Sequence, residues 1–222
     1  MNRFNLLNII LLNLLLSMIS CNYKTKGKEI PIITSEYVES INIQDNKSFE
    51  KKIHTFKGNQ IEYIFYAIVN YQEKSYDFGR FHLCDQAVLI KFSNGKWLNW
   101  VWVEKGFNGC PEINLSFKDL RPELNDEFTK IINVTETKEW VNIKGLVLTN
   151  IIYKSFQNAK KELFLSDLIF KFTDKSVTIC AIDEPDQNIL PNIKNLSFLP
   201  NWTIIIFDES MLKEFKRGEY TK

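Results

Sequence analysis

A chain of 222 residues that is 45% hydrophobic and 14% aromatic can build one sizeable core, and its length fits one domain better than two. Its 28 basic and 27 acidic residues leave a formal net charge of +1, with both signs mixed along the chain. That balance speaks against a nucleic-acid partner and against a polybasic membrane patch beyond a short segment near the start.

Residues 1–20 have the build of a secretory signal peptide. Arg3 supplies the positive n-region, and Leu6 to Leu16 the apolar h-region, interrupted by Asn8 and Asn13. The run is too short and too interrupted for a membrane-spanning helix. Ser17-Met18-Ile19-Ser20-Cys21 follows, with a small residue directly before a cysteine. This stretch resembles the lipobox of bacterial lipoproteins, although Met18 stands where leucine is usual. The resemblance covers only the first tenth of the chain. It implies cleavage before Cys21 and attachment of lipid, palmitate included, at that residue. Several acyl chains make a stable anchor, because each buried CH₂ adds about 0.8 kcal/mol. The expected location is therefore the bacterial cell envelope, and the first expected partner is the membrane itself. Residues 21–35 form the lipidated cysteine and its tether, where Lys24, Lys26, Gly27 and Lys28 are polar or flexible and Pro31 blocks a helix. Some bacterial lipoproteins carry an acidic cluster here for surface display. This tether is basic, which favours a periplasm-facing anchor.

Residues 36–222 are expected to be one β-rich globular domain. Phe49 to Phe56 reads as a strand, Lys57-Gly58-Asn59 as a turn, and Ile61 to Tyr71 as a strand with Tyr63, Phe65, Ala67 and Val69 on one side. Phe81 to Asp85 leads into the stretch AVLIKFSNGKWLNWVWV, residues 87–103. Two β-rich runs there flank Asn94-Gly95, a strong hairpin signal because both residues tolerate positive φ. A two-residue turn places Val88, Ile90, Phe92, Trp97 and Val101 on one face, and Ala87, Leu89, Leu98, Trp100 and Trp102 on the other. A three-residue turn with a bulge would exchange the faces of one strand. Both faces are apolar, so the hairpin is either central or offers a binding surface.

Gly106 and Gly109 break the chain into a loop. Pro122 to Ile132 has the spacing of a helix, with Leu120, Leu124, Phe128, Ile131 and Ile132 recurring at about 3.6 residues. Trp140 to Ile143 reads as a short strand. Leu146 to Phe156 and Leu163 to Thr173 read as paired strands, Asp174-Lys175 as a turn, Ser176 to Ile182 and Trp202 to Phe207 as further strands. Residues 183–200 are loop-like. Asp208 or Ser210 can cap a closing helix that ends near Arg217. Many strands on short turns with few helices predict an α+β fold, a mainly antiparallel sheet with helices on one face. An all-β sandwich is the alternative.

The chemistry-bearing residues are few. With Cys21 lipidated, Cys84 and Cys110 flank the hairpin and can close its base with a disulfide in an exported protein. A loop of that length is stabilised by roughly 3 kcal/mol in the chain-entropy picture. Cys180 lies in an apolar strand and reads as a buried thiol. His82 and Cys84 alternate onto one strand face, and with Cys110 they offer a zinc-like donor set. A disulfide would remove both thiolates. Asp183, Glu184, Asp186 and Asn188 carry hard oxygens suited to Ca²⁺ but lack EF-hand spacing. There is no C-x-x-C, H-E-x-x-H, G-x-S-x-G, G-x-G-x-x-G or Walker loop, so no cofactor is implied and the expectation leans away from an enzyme. Trp97, Trp100 and Trp102 invite a glycan-stacking platform, with core packing as the competing role. The resulting expectation is a lipid-anchored envelope protein with a non-enzymatic domain that binds another envelope protein or a glycan.

Overall fold

The computed structural model describes residues 46–69, 76–79, 81–104, 111–124, 129–157, 163–182 and 202–208. The chain enters through α1 (Asn46–His54). Its apolar residues Phe49 and Ile53, continued by Phe56, are spaced by four and three, so one helical stripe is buried. The strand expected at residues 49–56 is therefore corrected to a helix. Alternation by two would have placed Phe49 and Phe56 on opposite faces.

Among the described residues ten strands follow, all paired antiparallel where they are neighbours. They are β1 (Ile61–Val69), β2 (Phe81–Cys84), β3 (Ala87–Phe92), β4 (Trp97–Glu104), β5 (Pro111–Ser116), β6 (Thr129–Asn133), β7 (Asn150–Gln157), β8 (Leu163–Lys171), β9 (Ser176–Ile182) and β10 (Trp202–Ile206). One sheet has the order β5-β4-β3-β1-β6, and the other β2-β10-β9-β8-β7. The fold is thus mainly antiparallel β with short helices, as expected. Ile64, Ile90 and Trp100 from the first sheet and Leu168, Ile179 and Ile205 from the second share one buried core. The two sheets therefore face each other across this core, with the short helices packed against them. α1 packs on β7 through Phe49 and Tyr153, whose rings lie 4.7 Å apart. Among the described residues, no helix is long and apolar enough to cross a membrane.

The central hairpin forms at the expected place in the other register. Phe92 N–H donates to Lys96 O, Gly95 N–H donates to Phe92 O, and Gly95 has φ +79°. The loop is therefore Ser93-Asn94-Gly95, with glycine in the left-handed position of a bulge. Val88 now faces Trp100 and Ile90 faces Leu98. Val88, Ile90, Phe92, Leu98, Trp100 and Trp102 line the core between the sheets. Ala87, Leu89, Trp97, Val101 and Val103 line the outer face. That face is covered by Leu120 and by Leu124 of α2 (Arg121–Leu124).

Two further expectations are corrected in this region. Of the helix expected over 122–132, the described part is Arg121–Leu124, and 129–133 instead forms β6, paired to β1. Ile131 then packs on the outer face and Ile132 on the core, as strand alternation demands. Trp140 lies on a helical turn, α3 (Lys138–Val141), rather than a strand. The β7–β8 pair, the turn before β9, β9 itself and β10 stand as expected. Ile204, Ile205 and Ile206 of β10 are all buried, which explains a continuous apolar run where alternation would mark a half-exposed strand. The signal segment, the tether, the 183–200 loop with its Ca²⁺-type residues and the closing helix after Asp208 lie outside the described residues.

Candidate functional site around His82

β1 and β2 belong to different sheets, and Tyr66 and His82 meet between them. Tyr66 Oη lies 2.8 Å from His82 Nδ1, and both residues are fully buried. α3 closes this end of the core with two consecutive side chains. Trp140 Nε1–H donates to Tyr66 Oη at 2.7 Å, and Glu139 Oε2 lies 3.3 Å from His82 Nε2. Asp77 approaches the same nitrogen, with Oδ1 at 3.9 Å. Asp77 is held by a bridge to His82 and by Gly79 N–H, which donates to its Oδ1 at 2.8 Å. Phe207 packs edge-on against both His82 and Trp140, with centroids 4.9 Å away in each case.

The hydrogen-bond roles follow from the phenol. Burial pushes the Tyr66 pKa well above its ordinary value, with the Trp140 hydrogen bond opposing, so the hydroxyl keeps its proton. Its oxygen accepts from Trp140, and its hydrogen is directed at His82 Nδ1. A neutral His82 then carries its hydrogen on Nε2, facing Glu139 and Asp77. Burial lowers the His82 pKa below 6.5, and the Asp77 and Glu139 carboxylates oppose this without reversing it. The ligand atoms of Asp77, His82 and Glu139 lie within 4.8 Å of one another. Side-chain exposure rises outward, from 0% for His82 to 11% for Glu139 and 47% for Asp77. The cluster is a buried imidazole with two carboxylates at its mouth.

Sequence reasoning singled out His82 and placed it on one face with Cys84, but it paired them as ligands. Cys84 is a free thiol, fully buried, with Sγ 3.2 Å from Ala67 O and 3.0 Å from Ala87 O. Burial pushes its pKa far up, so it offers a neutral S–H to those carbonyls and no thiolate to a metal. Cys110, its expected disulfide partner, lies outside the described residues. Cys180 is buried, as expected. Asp77 and Glu139 went unnoticed because they lie 62 positions apart and carry no motif spacing. The only cue was a histidine inside an otherwise apolar strand.

The tryptophans are corrected too. All three indoles are buried, and Trp97 points to the opposite face from Trp100 and Trp102. Both Trp100 and Trp102 donate their Nε1–H to Thr203 Oγ1, at 2.8 and 3.0 Å. Sugar stacking needs an open indole face, and none of the three offers one.

What the outer face does present is a stripe of aromatic rings under cations. Tyr63 stacks near Phe65 at 6.3 Å between centroids, and Phe65 lies 6.1 Å from Trp97. The Arg121 guanidinium sits 4.9 Å from the Phe65 centroid and 4.8 Å from that of Trp97. Lys91 Nζ lies 5.3 Å from the Tyr63 centroid. Both cations are paired. Arg121 Nε and Nη2 donate to Asp119 at 2.9 and 2.6 Å, and Lys91 Nζ lies 3.1 Å from Glu62. Tyr63 is 39% exposed.

Comparison of the chain with protein-family models, with curated proteins and with solved structures finds no match to any of them.

Proposed function

We propose that the chain is a bacterial lipoprotein, anchored in the cell envelope through Cys21 and facing the periplasm, whose β-rich domain is a non-enzymatic module that binds another envelope protein. The lipobox-like segment supports the anchor. The single observation that supports the binding role is the exposed Tyr63 ring with Lys91 over it, backed by the buried Phe65 and Trp97 rings that hold the Arg121 guanidinium at the surface. Tyrosine, tryptophan and arginine are the residues that dominate protein–protein hot spots. They join rigid apolar area to a cation that is partly dehydrated against a ring. Asp119 and Glu62 neutralise the two cations, which favours a protein surface over a polyanion such as nucleic acid.

Two experiments test this reading. Replacing Cys21→Ala in the full chain moves it from the membrane to the soluble fraction and abolishes palmitate labelling. Retention in the membrane would overturn the anchor. A photo-crosslinking amino acid at Tyr63 traps one adduct of defined mass in intact cells, whereas the same probe at Ile152, 40% exposed on β7, traps none. Arg121→Ala weakens capture by about tenfold, the size expected for a moderate hot spot. No adduct, or equal adducts at both positions, would remove the stripe as an interface. A glycan in place of peptide in the adduct would change the partner class.

A further inference from the structure

We infer that Asp77, His82 and Glu139 form a site for a divalent transition-metal ion of the zinc class. The inference is independent of the binding stripe, which lies on the outer face of the first sheet. Imidazole nitrogen with carboxylate oxygen is a donor set for zinc and its first-row neighbours, and not for Mg²⁺ or Ca²⁺, which take oxygen alone.

The spacing fits. Zinc bonds of about 2.0–2.1 Å at a tetrahedral angle put two donor atoms about 3.3 Å apart. His82 Nε2 and Glu139 Oε2 already stand at 3.3 Å, while Asp77 Oδ1 needs to close from 3.9 Å and the three ligand atoms, now within 4.8 Å of one another, need to draw together. Asp77 is the exposed member of the set and can make that movement. Gly79 N–H occupies one lone pair of its Oδ1 and leaves the rest of the carboxylate available. Three protein donors leave a fourth position for solvent or for a group from a partner.

A second feature separates this cluster from a chance meeting of carboxylates. His82 is wholly buried and its far nitrogen is held by Tyr66, which is itself held by Trp140. Metal-binding histidines are ordinarily oriented by donating the hydrogen of the other ring nitrogen, and Tyr66 Oη stands where that acceptor is needed. When an ion takes the place of the hydrogen on Nε2, the imidazole carries its hydrogen on Nδ1 and donates it to Tyr66 Oη. The Tyr66 hydroxyl, which donates to Nδ1 in the metal-free site, then turns its hydrogen away and gives up that acceptor, a cost that the metal bonds must exceed. Two carboxylates offset the charge of a divalent ion at a site whose inner wall is aromatic.

The test is titration of the full-length, metal-stripped protein in detergent micelles with Co²⁺ and Zn²⁺. One equivalent of Co²⁺ is expected to give the intense visible bands of a four-coordinate ion, and one equivalent of Zn²⁺ to remove them. Asp77→Asn is the informative variant, because it alters an exposed carboxylate and leaves the buried network intact. It should weaken binding at least tenfold, with an unchanged circular dichroism spectrum and metal-free melting temperature. The exposed His54→Gln serves as the control and should bind as the parent does. Zn²⁺ should raise the melting temperature of the parent and of His54→Gln, and not of Asp77→Asn. Absence of stoichiometric binding, or binding unchanged by Asp77→Asn, overturns the site. Binding lost in His54→Gln would assign the ion to an adventitious surface position and overturn it equally.

Discussion

The Nε1–H of Trp100 on β4 donates to Thr203 Oγ1 on β10 at 2.8 Å, joining the two sheets by a polar contact inside an apolar core. Trp102 donates to the same oxygen at 3.0 Å, so one hydroxyl satisfies two indoles. Thr203→Val keeps the shape of the side chain and removes the one oxygen that accepts both hydrogen bonds. Each buried donor left without a partner costs about 1–3 kcal/mol, so the variant should lose roughly 2–6 kcal/mol in urea denaturation. A loss below about 0.5 kcal/mol, the scatter of neutral surface changes, would show that the indoles find other acceptors.

Gly95 has φ +79° in the hairpin loop, with no atom within 4 Å of the position a Cβ would take. Substitution there meets only backbone strain. Gly95→Ala should cost about 1 kcal/mol, and Gly95→Asn less, because asparagine tolerates the left-handed region. Equal stability of all three in thermal unfolding would mean that the loop is not held in this conformation.

That same loop shows how far the fold was readable. Asn94-Gly95 located the hairpin, but both the two-residue turn and the three-residue loop with a bulge accept the dipeptide. A one-residue shift exchanges the faces of β4, and with them the positions of Trp97, Trp100 and Trp102. Strands with apolar runs and clean turns, such as β9 with its Asp174-Lys175 turn, were legible. The helical spacing across Leu124, Ile131 and Ile132 misled because β6 gains its stability from pairing with β1, a contact 66 residues away in sequence for Ile132 and Tyr66. α1 was the reverse case, since the spacing of Phe49, Ile53 and Phe56 was present and read as a strand. At the site, His82 was visible from its own sequence context. Asp77, Glu139, Tyr66 and Trp140 were not, because only the crossing of β2 to the second sheet and the turn of α3 bring them together.

Ser116 Oγ is buried and has no hydrogen-bond partner among the described residues, opposite Asn99, whose Oδ1 likewise has none among them. Ser116→Ala removes a desolvated hydroxyl at no loss of a bond. It should leave stability unchanged or raise it by up to about 1 kcal/mol. A clear loss instead would reveal a buried water bridging the two oxygens, which ordered solvent commonly does for such pairs.

Cys84 is a buried S–H bonded to carbonyls, with its pKa held far up by burial. It should resist alkylation in the native protein and become labelled on denaturation without reductant. Peptide mapping would then find the label at Cys84. A Cys84–Cys110 linked peptide from the unreduced protein would show that the mature protein carries the bridge.

The last prediction concerns the Asp119–Arg121 pair that holds the guanidinium over Phe65 and Trp97. Hydrogen bonds from Arg121 lower the Asp119 pKa below its ordinary value, outweighing partial burial. A carboxyl depressed in the folded state binds fewer protons than in the unfolded chain. Its stabilisation is therefore complete above the unfolded pKa, about 4, and is lost as pH falls through the lower folded value. The pair is partly solvated, which limits its contribution to about 1 kcal/mol or less at neutral pH. Asp119→Asn should be less stable than the parent by that amount at pH 7, and the two should converge as the pH falls from 4 toward 2. A gap that persists at pH 2 would mean that Asp119 acts through packing or its bond to the Arg121 N–H rather than through its charge. If the stripe is the interface, the same variant frees Arg121 from its partner, and crosslinking from Tyr63 should weaken with it.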